Sequence, residues 1–229
     1  MSHTAAREEE ALNIRTMIAT LIGGTGLTGS LLLQQLLADP TITQVISVSR
    51  KPLNLSTAKL TEVLIADLAQ LPSEQARLRG DLYFCCLGTT IKAAGSQANF
   101  EKVDHAAIVA FARIAKAHEA RSLTLVSAMG ADARSMVFYN RVKGRTEADV
   151  KALGLRALTI FQPALLVGPR QEFRLAEKMV ARILVPVAQF FPARIRKSLL
   201  TQAETLARRM VAEGKAAAEG IHVIPAKDI

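Results

Sequence analysis

From Met17 onward, short apolar, β-rich runs alternate with stretches of helical period, and few folds accept that alternation. Strands fall at Met17 to Ile22, Gln44 to Ser49, Glu62 to Ile65, Leu82 to Cys86, Ser122 to Ser127, Ala157 to Phe161 and Ile221 to Ile224. Most are nearly continuous in apolar residues, as strands buried on both faces are. Helices fall at Leu27 to Ala38, closed by Asp39 and Pro40, at Asn99 to Ala117, at Tyr139 to Leu153 before Gly154, and at Gln202 to Gly214. In the second of these, Val103, Ala107, Ile108, Phe111 and Ile114 recur at helical spacing. The pattern predicts an α/β fold, a doubly wound parallel sheet with helices on both faces.

The 229 residues suit a single domain. Residues 1–16 are set apart as a flexible or helical leader, since Glu8, Glu9 and Glu10 stand where a secretory signal needs a basic start and an apolar stretch. Residues 17–229 form the domain, with substrate-side insertions over about 164–215. There Gln171 to Phe191 is a basic amphipathic stretch broken by Pro186. With the helix that follows, it is expected to make a small C-terminal helical extension over the active-site cleft.

A formal net charge of +9 favours an anionic partner without choosing among a phosphorylated cofactor, nucleic acid and an acidic membrane surface. Aromatic residues make up only 4% and Trp is absent, which argues against base-stacking platforms. Arg174, Lys178, Arg182, Arg194, Arg196, Lys197, Arg208 and Arg209 read as a solvated face, so no specific nucleic-acid partner is expected. No apolar run reaches the roughly 18 to 20 residues of a spanning helix. The adjacent Cys85 and Cys86 would form a strained disulfide, so a reducing compartment is expected, taken as the cytoplasm.

The loop after the first strand is the most informative segment, Ile22-Gly-Gly-Thr-Gly-Leu-Thr-Gly29. Gly23 permits a tight turn, Gly26 lets the backbone approach a pyrophosphate, and Gly29 lets the helix pack closely on the strand. Thr25 and Leu27 complete the turn, and the amides that open the helix, helped by its dipole, suit a phosphate. At the end of the second strand, where a carboxylate would hold adenosine ribose hydroxyls, stand Ser49, Arg50 and Lys51. Arg50 offers a planar fork of donors and Ser49 a hydroxyl, so NADP(H) is expected over NAD(H). The competing reading is a solvated turn before Pro52.

Asp67 has two open readings, an acceptor for an adenine amino group or a cap for the helical turn that begins at Leu68. After the fourth strand, Leu87, Gly88 and Thr89 would border the cofactor, Gly88 by letting the backbone lie against it. Cys85 and Cys86 read as small buried hydrophobes. Ser127 closes the fifth strand, and Tyr139 and Lys143 follow it four residues apart, on one face of one helix. A free phenol, with a pKa of about 10, exchanges protons poorly at neutral pH, and a neighbouring ammonium favours the phenolate. Ser127 is expected to hold a substrate carbonyl or hydroxyl, so that proton transfer at Tyr139 and hydride transfer at a nicotinamide act on one C=O bond. The plain alternative is an amphipathic helix with a half-buried tyrosine and a solvated lysine.

Together these residues resemble the short-chain dehydrogenase/reductase superfamily from Met17 to nearly the end of the chain. Gly23-Gly-Thr-Gly-Leu-Thr-Gly29, Phe84-Cys-Cys-Leu-Gly-Thr-Thr90, Tyr139-Asn-Arg-Val-Lys-Gly144 and Phe161-Gln-Pro-Ala-Leu-Leu-Val-Gly-Pro-Arg-Gln171 are similar to its atypical branch, which includes the Tat-interacting protein oxidoreductase. The resemblance implies a Rossmann domain, NADPH as cofactor, and Ser127, Tyr139 and Lys143 as the catalytic set. It also implies that Lys143 bonds the nicotinamide ribose and that Pro163, Ala164 and Leu165 line the nicotinamide side. Many relatives supply an Asn for a proton relay, where this chain reads Lys102-Val-Asp-His105.

The resulting expectation is an NADPH-dependent oxidoreductase acting on a small or medium carbonyl compound or its alcohol, with a homodimer possible through the helices and no metal site assigned. Arg170 and Gln171 are the expected substrate-facing pair. The alternative is an NADPH-binding redox sensor that acts through a protein partner.

Overall fold

The computed structural model describes residues 16–168 and 200–229. Its strands are β1 (Met17–Ile22), β2 (Ile42–Ser49), β3 (Leu60–Leu64), β4 (Leu82–Cys85), β5 (Ser122–Val126), β6 (Ala157–Gln162), β7 (Leu165–Val167), β8 (Leu200–Gln202) and β9 (Gly220–Pro225). Seven of them form one parallel sheet in the order β3-β2-β1-β4-β5-β6-β9. The chain works outward from β1 to β3, then returns to lay β4 on the other side of β1. That reversal opens a crevice above the carboxyl ends of β1 and β4, where open α/β sheets bind ligands.

The helices are α1 (Leu27–Ala38), α2 (Ile91–Ala94), α3 (Gln97–Glu101), α4 (Ile108–Ala117), α5 (Phe138–Ala152) and α6 (Ala203–Ala216). They divide the core into two layers. On one face, Phe111 and Ile114 of α4 and Val150 of α5 pack with Tyr83, Leu123 and Ile160 of the strands. On the other, Leu32, Leu33 and Leu36 of α1 and Leu206 and Met210 of α6 pack with Leu21, Phe84 and Phe161. Alternate residues of one strand therefore feed opposite layers, which is why these strands read as unbroken apolar runs.

The seven expected strands all form, and α1 has the predicted bounds. The expected single helix over Asn99 to Ala117 differs. It starts at Gln97, where Ser96 Oγ accepts the Asn99 amide at 3.1 Å, and it passes through a π-helical segment, Lys102–Ala107, before α4. A π turn holds an extra residue and shifts which side chains face inward. Asp104 is thereby fully buried. A short parallel pair, β7 with β8, was not foreseen, because three-residue strands carry little periodicity.

The described part of the late region covers the sheet rather than the cleft. Gly214 of α6 faces the Phe84 ring, and its carbonyl oxygen accepts from Ser122 Oγ at 2.7 Å. The leader Met1 to Arg15 and the stretch Gln171 to Phe191, with Arg170, Gln171, Arg174, Lys178, Arg182, Arg194, Arg196 and Lys197, lie outside the described residues. Among the described residues no helix is long and apolar enough to cross a membrane.

Candidate active site

A cleft of about 420 Å³ opens at the reversal point. Gly23, Thr25 and Gly26 from the first turn line it, with Ser49 and Arg50 from the end of β2, Asp67 after β3, and Cys86 to Thr89 after β4. Gly23 has φ +87°, and a Cβ there would lie 2.6 Å from the Cys86 backbone, so only glycine fits where the β1 turn crosses the β4 loop. A Cβ on Gly29 would collide with the Gly23 carbonyl, which is the close helix-to-strand packing the motif predicts. Gly26 caps α1 with no side-chain hydrogen bond, and the first turn holds no acidic residue. The opening amides of α1 thus have no side-chain competitor at the cap, which suits an anion.

The remaining positions fall as follows. Arg50 is exposed on the cleft wall, and Lys51 beside it is exposed outside the lining. Ser49 is buried and donates its proton to the Lys51 carbonyl at 2.7 Å, so its hydroxyl shapes the basic turn. Asp67 accepts the Ala69 amide at 2.9 Å while Gln70 reaches back to the Asp67 amide, a complete capping box. The capping reading of Asp67 therefore holds, on a residue that also borders the cleft. Leu27 packs against Gly168, and the Pro163 carbonyl accepts the Met129 amide at 2.9 Å. Leu165 pairs with Leu200 in the small ladder.

Tyr139 and Lys143 lie one turn apart on α5, with the Tyr139 ring half-buried against Phe100 at 5.5 Å between centroids. Lys143 is 4% exposed, and its Nζ is 2.7 Å from Asp104 Oδ1. Burial pulls the ammonium toward its neutral form, but the Asp104 carboxylate, with a smaller effect from Tyr139, more than offsets this and holds Lys143 above the usual lysine value. Burial in turn pushes the Asp104 carboxyl up, against Lys143 and the Thr89 amide. The solvated lysine of the plain alternative is thus not what forms, and Lys143 is one half of a buried pair. Its field at Tyr139 is that of a pair, weaker than a bare cation's. A Cβ on Gly88 would come within 3.5 Å of Asp104 Oδ1 and 3.7 Å of Lys143 Nζ, so the cleft loop roofs this pair.

Ser127 departs from its expected part. Its Oγ donates to Glu147 Oε1 at 2.5 Å, and Glu147 lies two turns beyond Tyr139 on α5. Gln162 Nε2 donates to the same carboxylate at 2.9 and 3.1 Å, and Lys151 Nζ stands 3.3 Å from Oε2. A substrate carbonyl would need the hydroxyl proton that Ser127 already donates to Glu147, so Ser127 here has only lone pairs to offer. Asp104 and Glu147 both escaped the sequence reading. Glu147 repeats the four-residue spacing of Tyr139 and Lys143, a signal that was present; Asp104 entered the sequence reading only as a member of the stretch Lys102-Val-Asp-His105.

Residues 23–179 match a family described as NAD(P)H-binding. The chain is 34% identical over 203 residues to "Protein fmp52, mitochondrial" of Emericella nidulans, covering 86% of this chain and 84% of that one. It is 28% identical over 214 residues to "Protein HTATIP2" of Rattus norvegicus, covering 92% and 88%. Among solved structures it resembles MoeE5 in complex with UDP-glucose and NAD, with a TM-score of 0.68 at 14% identity over 90% of this chain and 75% of that one. A short-chain dehydrogenase family protein from Francisella tularensis gives 0.67 at 13% identity, over 92% and 98%. These two share the fold. The expected cytoplasmic location is overturned, because the fmp52 relatives are named as mitochondrial proteins. Its grounds, two reduced thiols and no secretory signal, do not separate one reducing compartment from another. With its family match, its relatives and its sheet order all in agreement, the chain belongs to the NAD(P)H-binding family.

Proposed function

We propose that the chain is an NADP(H)-dependent oxidoreductase that interconverts a small or medium carbonyl compound and its alcohol, with Tyr139 as the acid/base. The observation that carries this reading is the buried Lys143 ammonium, one turn from Tyr139 and directly beneath Gly88 of the cleft loop. Gly23, Thr25, Gly26 and Leu27 would hold the pyrophosphate on the open amides of α1. Arg50 and Lys51, on a turn fixed by Ser49, would take the extra phosphate of NADP(H). Asp67, Leu87, Gly88 and Thr89 would border the nucleotide, with Pro163 and Leu165 toward the nicotinamide. The bound nicotinamide supplies or accepts the hydride.

This chain's own part is proton handling and placement. Tyr139 gives a proton to the carbonyl oxygen in reduction and takes one from the alcohol in oxidation. Lys143 orients that phenol and the ribose beside it. Tyr139→Phe is expected to lower kcat by about a hundredfold or more while NADPH still binds. A screened carbonyl substrate turned over equally fast by that variant would sink the mechanism. The commitment of the Ser127 proton to Glu147 favours one second reading, an NADPH sensor acting through a protein partner. Tight NADPH binding with no turnover across a broad aldehyde and ketone panel would support it.

A further inference from the structure

The pair that buries Lys143 has a second arm that leaves the reactive helix. Asp104 Oδ2 accepts the Thr89 amide at 2.9 Å, and Thr89 follows Gly88 in the loop that lines the cleft. The backbone carbonyl of Asp104 accepts from Thr146 Oγ1 at 2.7 Å, on α5 between Lys143 and Glu147. One fully buried residue thus grips the reactive helix at two points and the nucleotide loop at a third. We propose that Asp104 is a positioning residue that couples the nucleotide loop to Lys143, so that nucleotide affinity and the charge on Lys143 are linked. The inference rests on the proposed reading that NADP(H) occupies this cleft.

The physical argument is one of compensation. An ammonium as buried as Lys143 favours its neutral form unless a counter-charge stands beside it. Asp104 supplies that charge from the π segment. The other groups facing Lys143 are Tyr139 on its own helix and the buried Cys85 thiol at the end of β4. Asp104 in turn faces Lys143 and the Thr89 amide. With Oδ2 engaged by the loop and Oδ1 by the lysine, a loop displaced from its place alters the partner of the charge. By reciprocity, losing the charge weakens whatever the loop holds.

Two measurements test this on the full chain. NADPH affinity is followed from neutral to alkaline pH in Tyr139→Phe and in Tyr139→Phe with Asp104→Asn, so that the phenol cannot supply the titration. The alkaline loss of affinity is expected to move down by about 1 to 3 pH units when the carboxylate is removed. An unmoved alkaline limb overturns the inference. Amide hydrogen exchange at Thr89 needs no variant: the parent is expected to protect this loop amide, and Asp104→Asn to speed its exchange by about tenfold or more. A parent in which Thr89 exchanges like an open loop also overturns it. Binding of NADPH without any turnover would sink the proposed reaction, yet both readouts of Asp104 would stand.

Discussion

The chain has two tyrosines and no tryptophan, so phenol absorbance reports on two residues alone. Tyr83 on β4 is fully buried, its hydroxyl bonded to the Leu78 carbonyl and 2.7 Å from His118 Nδ1. Burial pushes its pKa up to about 12. A phenol raised from an unfolded value of 10.0 to about 12 contributes stability below the first value and loses it as pH rises through the second. Lys143, also raised, loses its contribution in the same direction. Stability toward denaturant is therefore expected to fall between pH 10 and about 12. In Tyr139→Phe, a spectrophotometric titration should show one ionisation, at about 12. An ionisation at the free phenol value would contradict the burial of Tyr83.

Among elements, the β1 turn was legible because its glycines answer to backbone geometry, and geometry leaves the same mark in any sequence. The placing of Tyr139 and Lys143 together on α5 was legible because a four-residue spacing fixes one helical face. The π segment was not. Its apolar residues fit an ordinary helical period, and an extra residue in one turn changes direction without changing composition. Nor could the partner of Ser127 be read, since the contact joins a strand end to a helix residue twenty positions away. Because that hydroxyl donates to a buried carboxylate, Ser127→Ala is expected to lower stability by about 1.5 to 3 kcal/mol. A denaturation curve gives that loss. Should kcat also fall far more than stability accounts for, Ser127 touches the substrate after all.

For the whole molecule, the parallel direction of the main sheet followed from alternation alone, whereas its strand order and the compartment did not, because alternation leaves the order of neighbours open and thiols read chemistry and not address. The formal charge of +9 acts over the entire surface and favours any anionic nucleotide, falling with salt. A specific phosphate contact behaves differently, since it separates NADPH from NADH. Arg50→Ala is expected to reduce NADPH affinity by about tenfold or more and to leave NADH affinity nearly unchanged. Titrations of both nucleotides at low and high salt separate the contact from the general field. Equal losses for the two would mean that Arg50 is only part of a solvated turn.

The small ladder of β7 with β8 stands apart from the main sheet, and it fastens Leu165 beside Leu200. Because the two strands run parallel, Val167 at the close of β7 pairs with Gln202 at the close of β8. Among the described residues the ladder is thus a join with a register of its own, made without any hydrogen bond borrowed from the main sheet.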